Sequence, residues 1–396
     1  MKITVLTADS VPLLGGIANY MNGLMTSSNH RIEWILRTIV PGDPEQDQDL
    51  PYEVHRFSPA FPLREKMYGD CFLPLRKLNT LMWFYRKRRS TLRFMDRIIR
   101  EDNPDAVLIP RWQQESHWWC RCCRIVGLPY IIIAHGLELI SPFSRFYDNA
   151  RITDLMNASI VFANSRLVKS TVEDMSRSIP PVLILNPGVV PEELEYLSRA
   201  EAEGELSRMG LHGKFILSMG RLTYRKGFDL TAKAFAMIED KWPGISLVIA
   251  GSGDYEDEVI RAVENTDCSD RILMPGGVSE KQKRALMQEC EYFVMANRPA
   301  ENDIEGFGIV FLEANYYGKA VIGGNNGGVP DAVVHGKTGL LVDTPDTESL
   351  AQAMEMLLDD DELRNSMGSF GRSRTLEEFS WKKLSKVFLD GIESHL

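Results

Sequence analysis

The chain has 396 residues, 44% of them hydrophobic and 25% charged, with a formal net charge of −10. That composition excludes a disordered chain, and the length suggests two domains instead of one core. The negative balance argues against nucleic acid as the main partner, and six cysteines are too few for a disulfide scaffold. No run of 18 or more uncharged apolar residues marks a membrane span.

The first residues, MKITVLTADSVPLLGG, contain one basic residue and read as a strand, not as a signal peptide, so a cytoplasmic location is expected. Short apolar, β-branched runs follow at 31–37, 106–109, 130–134, 159–163 and 182–185. In the second half they recur at 214–218, 246–250, 271–274, 292–295, 320–322 and 340–342. Helical patterns separate most of them, notably at 17–27, 165–178, 228–240, 279–289 and 306–317. Continuous apolar strands alternating with helices indicate parallel sheets covered on both faces. The expected fold is therefore α/β, with two doubly wound, Rossmann-like domains. Asn186-Pro187-Gly188-Val189 ends the first sheet, giving domains at 1–186 and 187–379 and a last helix, 380–396, that is a candidate to pack back on the first. Charge is uneven: residues 1–190 carry 23 Lys and Arg against 19 Asp and Glu, and residues 191–396 carry 22 against 36.

In such sheets ligands bind at the carboxyl ends of the strands, and several chemically suggestive residues lie there. Gly220-Arg221-Leu222-Thr223-Tyr224-Arg225-Lys226-Gly227 follows the strand FILSM; Arg221 and Lys226 can clamp phosphates, one with a bidentate fork and one as a point charge. A solvated basic loop is the plainer alternative. Within DIEGFGIVFLEANYYGKAVIGGNNGGVPDAV, Glu305 and Glu313 are eight residues apart, and Gly306 and Gly308 are expected to open the helix that carries Glu313. Helix-dipole complementarity would explain Glu305 equally well. His135-Gly136 follows another strand end, and Gly15-Gly16 precedes the first helix. Cys120, Cys122 and Cys123 behind His117 suggest metal only superficially, because no second ligand pair is near, so no metal site is assigned. Asp47-Gln48-Asp49 and Asp359–Asp361 read as loop and helix-end charges.

Taken in this order and after these strands, Gly15-Gly16, His135-Gly136, Asn186-Pro187-Gly188-Val189, Gly220-Arg221 with Lys226-Gly227, Gly251-Ser252-Gly253, Glu305/Glu313 and Gly327-Gly328-Val329-Pro330-Asp331 resemble the retaining glycosyltransferases of family 4, over essentially the whole chain. The resemblance implies the GT-B fold, two Rossmann-like domains facing each other across a cleft. It implies that Arg221 and Lys226 hold a donor diphosphate, and that Glu313 bonds the ribose. Glu305 would lie near the donor sugar's hydroxyls, beside the backbone of Gly306, Phe307 and Gly308 and next to Ile309. His135 would approach the transferred sugar, and Gly16, with Gly15, would lie at the diphosphate. Gly220 and Gly251 belong to the same donor-binding set. Neither a metal nor another cofactor is expected, since fixed cations can stabilise the departing diphosphate.

The base is expected near Gly276-Gly277-Val278-Ser279-Glu280, where Glu280 could accept from guanine; it could equally begin a helix. The donor is thus GDP-mannose, favoured by likeness to the phosphatidylinositol mannosyltransferase branch, or a UDP-hexose. The acceptor is a glycan or a lipid-linked molecule. Residues 61–100 hold 11 Lys and Arg against 3 Asp and Glu, interleaved with aromatics, and suggest an anionic membrane surface at the inner face or a solvated amphipathic helix. Trp112, Trp118 and Trp119 can stack on sugar or belong to the core. A nicotinamide dehydrogenase fails because Glu256 replaces the third glycine after Gly251-x-Gly253. An epimerase, or a non-catalytic sugar-nucleotide-binding protein on the same fold, remains the alternative.

Overall fold

The structure, a computed structural model, describes residues 1–7, 10, 15–38, 47–56, 92–93, 95–114, 116–140 and 145–396. Most of the basic, aromatic stretch 61–100 lies outside the described residues. The chain divides into two compact units: Met1–Asn164, Lys169–Leu185 and Ser385–Leu396 form the first, and Ser165–Val168 with Asn186–Leu384 the second.

The first unit contains β1 (Lys2–Thr7), β2 (Glu33–Thr38), β3 (Glu53–Arg56), β4 (Ala106–Ile109), β5 (Tyr130–Ala134), β6 (Ile160–Ala163) and β7 (Val182–Ile184). They form one parallel sheet in the order β3-β2-β1-β4-β5-β6-β7. The six expected strands lie within two residues of their expected ends. β3 was not expected: Glu-Val-His-Arg is half-exposed at the sheet edge and needs no continuous apolar run. Residues from the C-terminus complete this core. Phe388, in the helix Trp381–Glu393, stacks on Trp34 with ring centroids 5.9 Å apart and packs on Phe162 at 5.0 Å. A Cβ on Gly391 would come within 2.9 Å of Leu183 and Phe162, so this helix turn sits directly on β6 and β7.

The second unit contains β8 (Lys214–Met219), β9 (Ile245–Ala250), β10 (Ile272–Gly276), β11 (Phe293–Met295), β12 (Val321–Gly324) and β13 (Gly339–Val342), parallel in the order β10-β9-β8-β11-β12-β13. Side chains alternate between its two faces, as the strand period of two requires. Phe215, Leu217, Met219, Phe293 and Met295 fill one core, while Ile216, Leu247, Ile249 and Val294 fill the other. Both faces are covered, which is why these strands read as unbroken apolar runs. Truncating a fully buried ring such as Phe293 to Ala costs about 3–5 kcal/mol.

Helix limits differ from expectation at two places that bear on function. The segment expected at 228–240 is the helix Phe228–Ala236 plus a separate single turn, Glu239–Lys241. The segment expected at 306–317 is the helix Ile309–Tyr316, capped by Gly308 at φ 88°. A left-handed residue cannot belong to a right-handed helix, so Gly306 and Gly308 do not open it from within. Glu305 therefore stands in the preceding loop, not in the first turn.

Candidate functional site

Strand order in the second unit reverses between β8 and β11, and such a switch point is where a doubly wound sheet opens a crevice. Two segments leave it there. From β8 run Gly220, Arg221, a single helical turn Tyr224–Lys226, and left-handed Gly227 at φ 66° leading into the helix Phe228–Ala236. From β11 run Ala296, Asn297 and Arg298, and then the loop to Glu305.

Lys226 is half-buried, and a Cβ on Gly220 would lie 2.8 Å from its Nζ. Glycine at 220 thus leaves room for the ammonium group. Burial pushes the Lys226 pKa below the usual 10.5, partly offset by Glu305. Among the described residues its side chain has no ion pair or hydrogen bond, and neither has that of exposed Arg221. Three other cations nearby are engaged. Arg225 bonds Asp303 through Nε at 3.0 Å and Glu305 through Nη1. Arg298 pairs with buried Asp229 at 2.9 Å and lies 3.6 Å over the Tyr224 ring. Lys283 holds Glu313 at 2.8 Å. A partly desolvated cation with no direct ion pair or hydrogen bond is costly, so this corner is suited to receive an anion.

Glu305 is positioned from three directions. Asn297 Nδ2 donates to its Oε2 at 3.3 Å, alongside Arg225. The amide of Gly328 donates to the Glu305 carbonyl at 2.7 Å. A Cβ on Gly327 or Gly328 would collide with the backbone oxygens of Glu305 and Gly306; these glycines let the two loops touch. Phe307 is buried against Phe379, their ring centroids 5.7 Å apart, so only its backbone remains available beside Glu305. Glu313 lies in the second turn of Ile309–Tyr316, and Ile309 is that helix's first residue. Glu280 is the first residue of Glu280–Glu289, beneath a Ser279/Gln282 capping box, and is largely exposed. Gly251, at φ 140°, lies so close to the Gly220 carbonyl that no Cβ fits.

In the first unit, Gly15 caps and Gly16 begins the helix Gly16–Ser28, and a Cβ on either would meet none of the described residues within 4 Å. His135 follows β5, and its Nε2 donates to the Pro110 carbonyl at 2.9 Å, so any further polar contact of the ring falls to Nδ1. Its backbone amide donates to buried Glu138 at 2.5 Å, whose pKa burial raises against the pull of the surrounding amides. Trp112 is only 1% exposed and bonds buried Asp154 at 3.0 Å; Trp118 is buried too, so both belong to the core. His117 bonds the same Asp154 at 3.1 Å. The three cysteines behind it lie on the helix Ser116–Val126, buried, their pKa values raised by burial. Asp47 pairs with Arg56, Asp359 with Lys241, and Asp360 caps the helix Asp361–Glu378.

Residues 208–374 match the family described as glycosyl transferases group 1. That match lies wholly within the second unit. A GDP-mannose-dependent α-(1-6)-phosphatidylinositol monomannoside mannosyltransferase of Mycobacterium tuberculosis is 35% identical over 177 residues, covering 44% of this chain and 46% of the relative. The chain thus spans about half the length of the curated mannosyltransferases it first matches. An uncharacterized glycosyltransferase of Methanocaldococcus jannaschii is 23% identical over 98% of this chain and 96% of the relative. Among solved structures, Anabaena HepE, in complex with UDP and glucose, superposes with a TM-score of 0.77 at 18% identity, covering all of both chains. The two Rossmann-like units are those of the GT-B fold.

Of the residues singled out from sequence, the second unit brings Gly220, Lys226 and Glu305 together at the switch point. Glu313 and Glu280 lie on neighbouring helices linked through Lys283, which is 2.8 Å from Glu313 and 4.0 Å from Glu280. Sequence reasoning did not select Arg225, Asn297, Lys283 or Glu138. Arg225 belongs to the basic loop, but nothing in its spacing distinguishes it from Arg221. Lys283 and Asn297 carry no motif at all.

Proposed function

We propose that the protein transfers a hexose, with retention, from a nucleoside-diphosphate sugar to a glycan or lipid-linked acceptor, forming an α linkage. The observation that carries this is the half-buried Lys226 ammonium, which makes no direct ion pair or hydrogen bond among the described residues, in a segment matching the glycosyl transferases group 1. In this reading Lys226 and Arg221 bind the donor diphosphate, Glu313 takes the ribose hydroxyls, and Glu305 takes hydroxyls of the sugar. As the bond from sugar C1 to phosphate oxygen breaks, the electron pair stays with the diphosphate and positive character spreads over C1 and the ring oxygen. Fixed cations stabilise charge where it develops without reorganising, which supports transfer without a metal. The acceptor oxygen attacks C1 on the face that the diphosphate leaves, and its proton passes to a donor phosphate oxygen.

For the donor we favour GDP-mannose. The named dependence of the mycobacterial relative supports it, as does Glu280, whose exposed carboxylate stands at the end of β10 where guanine N1 and N2 could donate. The UDP bound to the structural neighbour keeps a UDP-hexose as the rival. Titration calorimetry with GDP and UDP, each with and without EDTA, tests the reading. Tighter binding of GDP, unchanged by EDTA, is expected. Tighter UDP binding overturns the donor, and binding of neither nucleotide overturns the site. The acceptor is proposed to be lipid-linked because residues 61–100 carry clustered cations and aromatics. No helix among the described residues is long and apolar enough to cross a membrane, and the proposed contact is with an anionic surface. Neutralising Arg86, Lys87, Arg88 and Arg89 should then abolish sedimentation with phosphatidylserine vesicles.

A further inference from the structure

The loop after β8 presents three cations, and they are not equivalent. Arg221 and Lys226 form no direct ion pair among the described residues, whereas Arg225 is committed to two carboxylates, Asp303 and Glu305. Both ends of the Arg225–Glu305 pair are mostly buried, with side-chain exposures of 19% and 13%. Burial works against the guanidinium charge, but the two carboxylates more than offset it and leave its pKa raised. Arg225 is also held at its backbone. The amide of Arg298 donates to the Arg225 carbonyl at 2.8 Å, and Arg298 Nε donates to the Tyr224 carbonyl at 2.7 Å. The turn that aims Arg225 is therefore clamped by the end of β11.

On the carboxylate side, Oε2 of Glu305 receives both Arg225 Nη1 and Asn297 Nδ2. Among the described residues, Oε1 receives no hydrogen bond. Two donors from different segments restrain the carboxylate through Oε2 and leave Oε1 as the oxygen available to a ligand. A planar guanidinium presents its donors in a rigid fork and so fixes the direction of both carboxylates, whereas an ammonium on a flexible stem fixes neither.

We infer that Arg225 is a positioning residue for sugar recognition: it fixes Glu305 through Oε2 so that Oε1 accepts from a hydroxyl of the donor sugar, and it takes no part in binding the diphosphate. This rests on the donor-site reading given above. It separates two recognition elements in one loop, Lys226 and Arg221 for the phosphates and Arg225, through Glu305, for the hexose.

The test compares a nucleoside diphosphate with its sugar nucleotide, using GDP with GDP-mannose and UDP with UDP-glucose, on the full chain. In Arg225→Gln and Arg225→Lys, affinity for the diphosphate should stay within about twofold of the wild type, while the additional affinity conferred by the hexose disappears. Turnover should fall about 10²-fold, as expected when a reacting group is misplaced by about 1 Å. Arg225→Lys guards against a folding failure in the glutamine variant, because it keeps the positive charge beside Glu305. If both ligands weaken in equal proportion in a folded variant, Arg225 is a phosphate ligand or a purely structural residue, and the inference is overturned. If the variants keep the full preference for the sugar nucleotide, it is overturned as well. If the wild type binds neither nucleotide, the donor-site reading fails and takes this inference with it.

Discussion

Lys283 Nζ lies 2.8 Å from Glu313 Oε1, joining the helix Glu280–Glu289 to the helix Ile309–Tyr316. The pair is half-buried, with side-chain exposures of 21% and 16%, so it orients the carboxylate more firmly than a surface pair would. One oxygen of Glu313 is held by Lys283, and the proposed ribose contact falls to the other. Glu313→Gln keeps the shape but loses both the charge and the acceptor strength. Charge-assisted hydrogen bonds contribute about 1.5–3 kcal/mol, so nucleotide affinity should fall about 10- to 100-fold by calorimetry. An unchanged affinity would remove Glu313 from the ribose site.

Lys226 gives a pH-dependent signature. Its pKa in the free protein lies below the usual 10.5 because burial disfavours the charge. A bound diphosphate stabilises the charged form and raises that pKa. Between the free and bound values, binding must take up a proton. At alkaline pH the observed binding enthalpy should therefore depend on the buffer's ionisation heat, and Lys226→Met should abolish the dependence. The same depressed pKa makes the folded chain hold fewer protons than the unfolded one in that window. This contribution thus raises stability as pH climbs towards 10.5. Turnover of Lys226→Met should drop about 10²–10³-fold, the usual loss of one fixed charge-stabilising group.

Gly328 has no room for a side chain, since its Cβ position meets the Gly306 carbonyl. Gly328→Ala must push the Glu305–Gly306 segment away while leaving every ionisable group in place. Turnover should fall by about 10²-fold with a smaller change in nucleoside diphosphate affinity. Equal turnover would show that the loop's position does not matter to the chemistry.

Arg298 and Asp229 form a buried pair, with side-chain exposures of 6% and 8%. Removing either partner leaves the other charge in a low-dielectric site. Asp229→Asn or Arg298→Met should each destabilise the chain by about 3–5 kcal/mol, read as a lower denaturant midpoint. A loss below about 1 kcal/mol would mean that water reaches the pair.

The sequence by itself determined the two parallel sheets. Twelve strands were legible because both faces of each sheet are covered, so inward and outward positions alike must be apolar. The one strand that escaped, β3, lies at an edge where that demand lapses. Glycine motifs were legible for a related reason: positions such as Gly251 and Gly328 are fixed by close approach to backbone, which no other residue tolerates. Tertiary structure alone decided which charges meet. Arg225 and Glu305 are 80 residues apart, and their pairing depends on β8 and β11 lying side by side. Spacing along a chain specifies only local neighbours, three or four residues apart on a helix. It could not distinguish the committed Arg225 from the unpaired Lys226 next to it, because the sheet order supplies the partner of one and withholds it from the other.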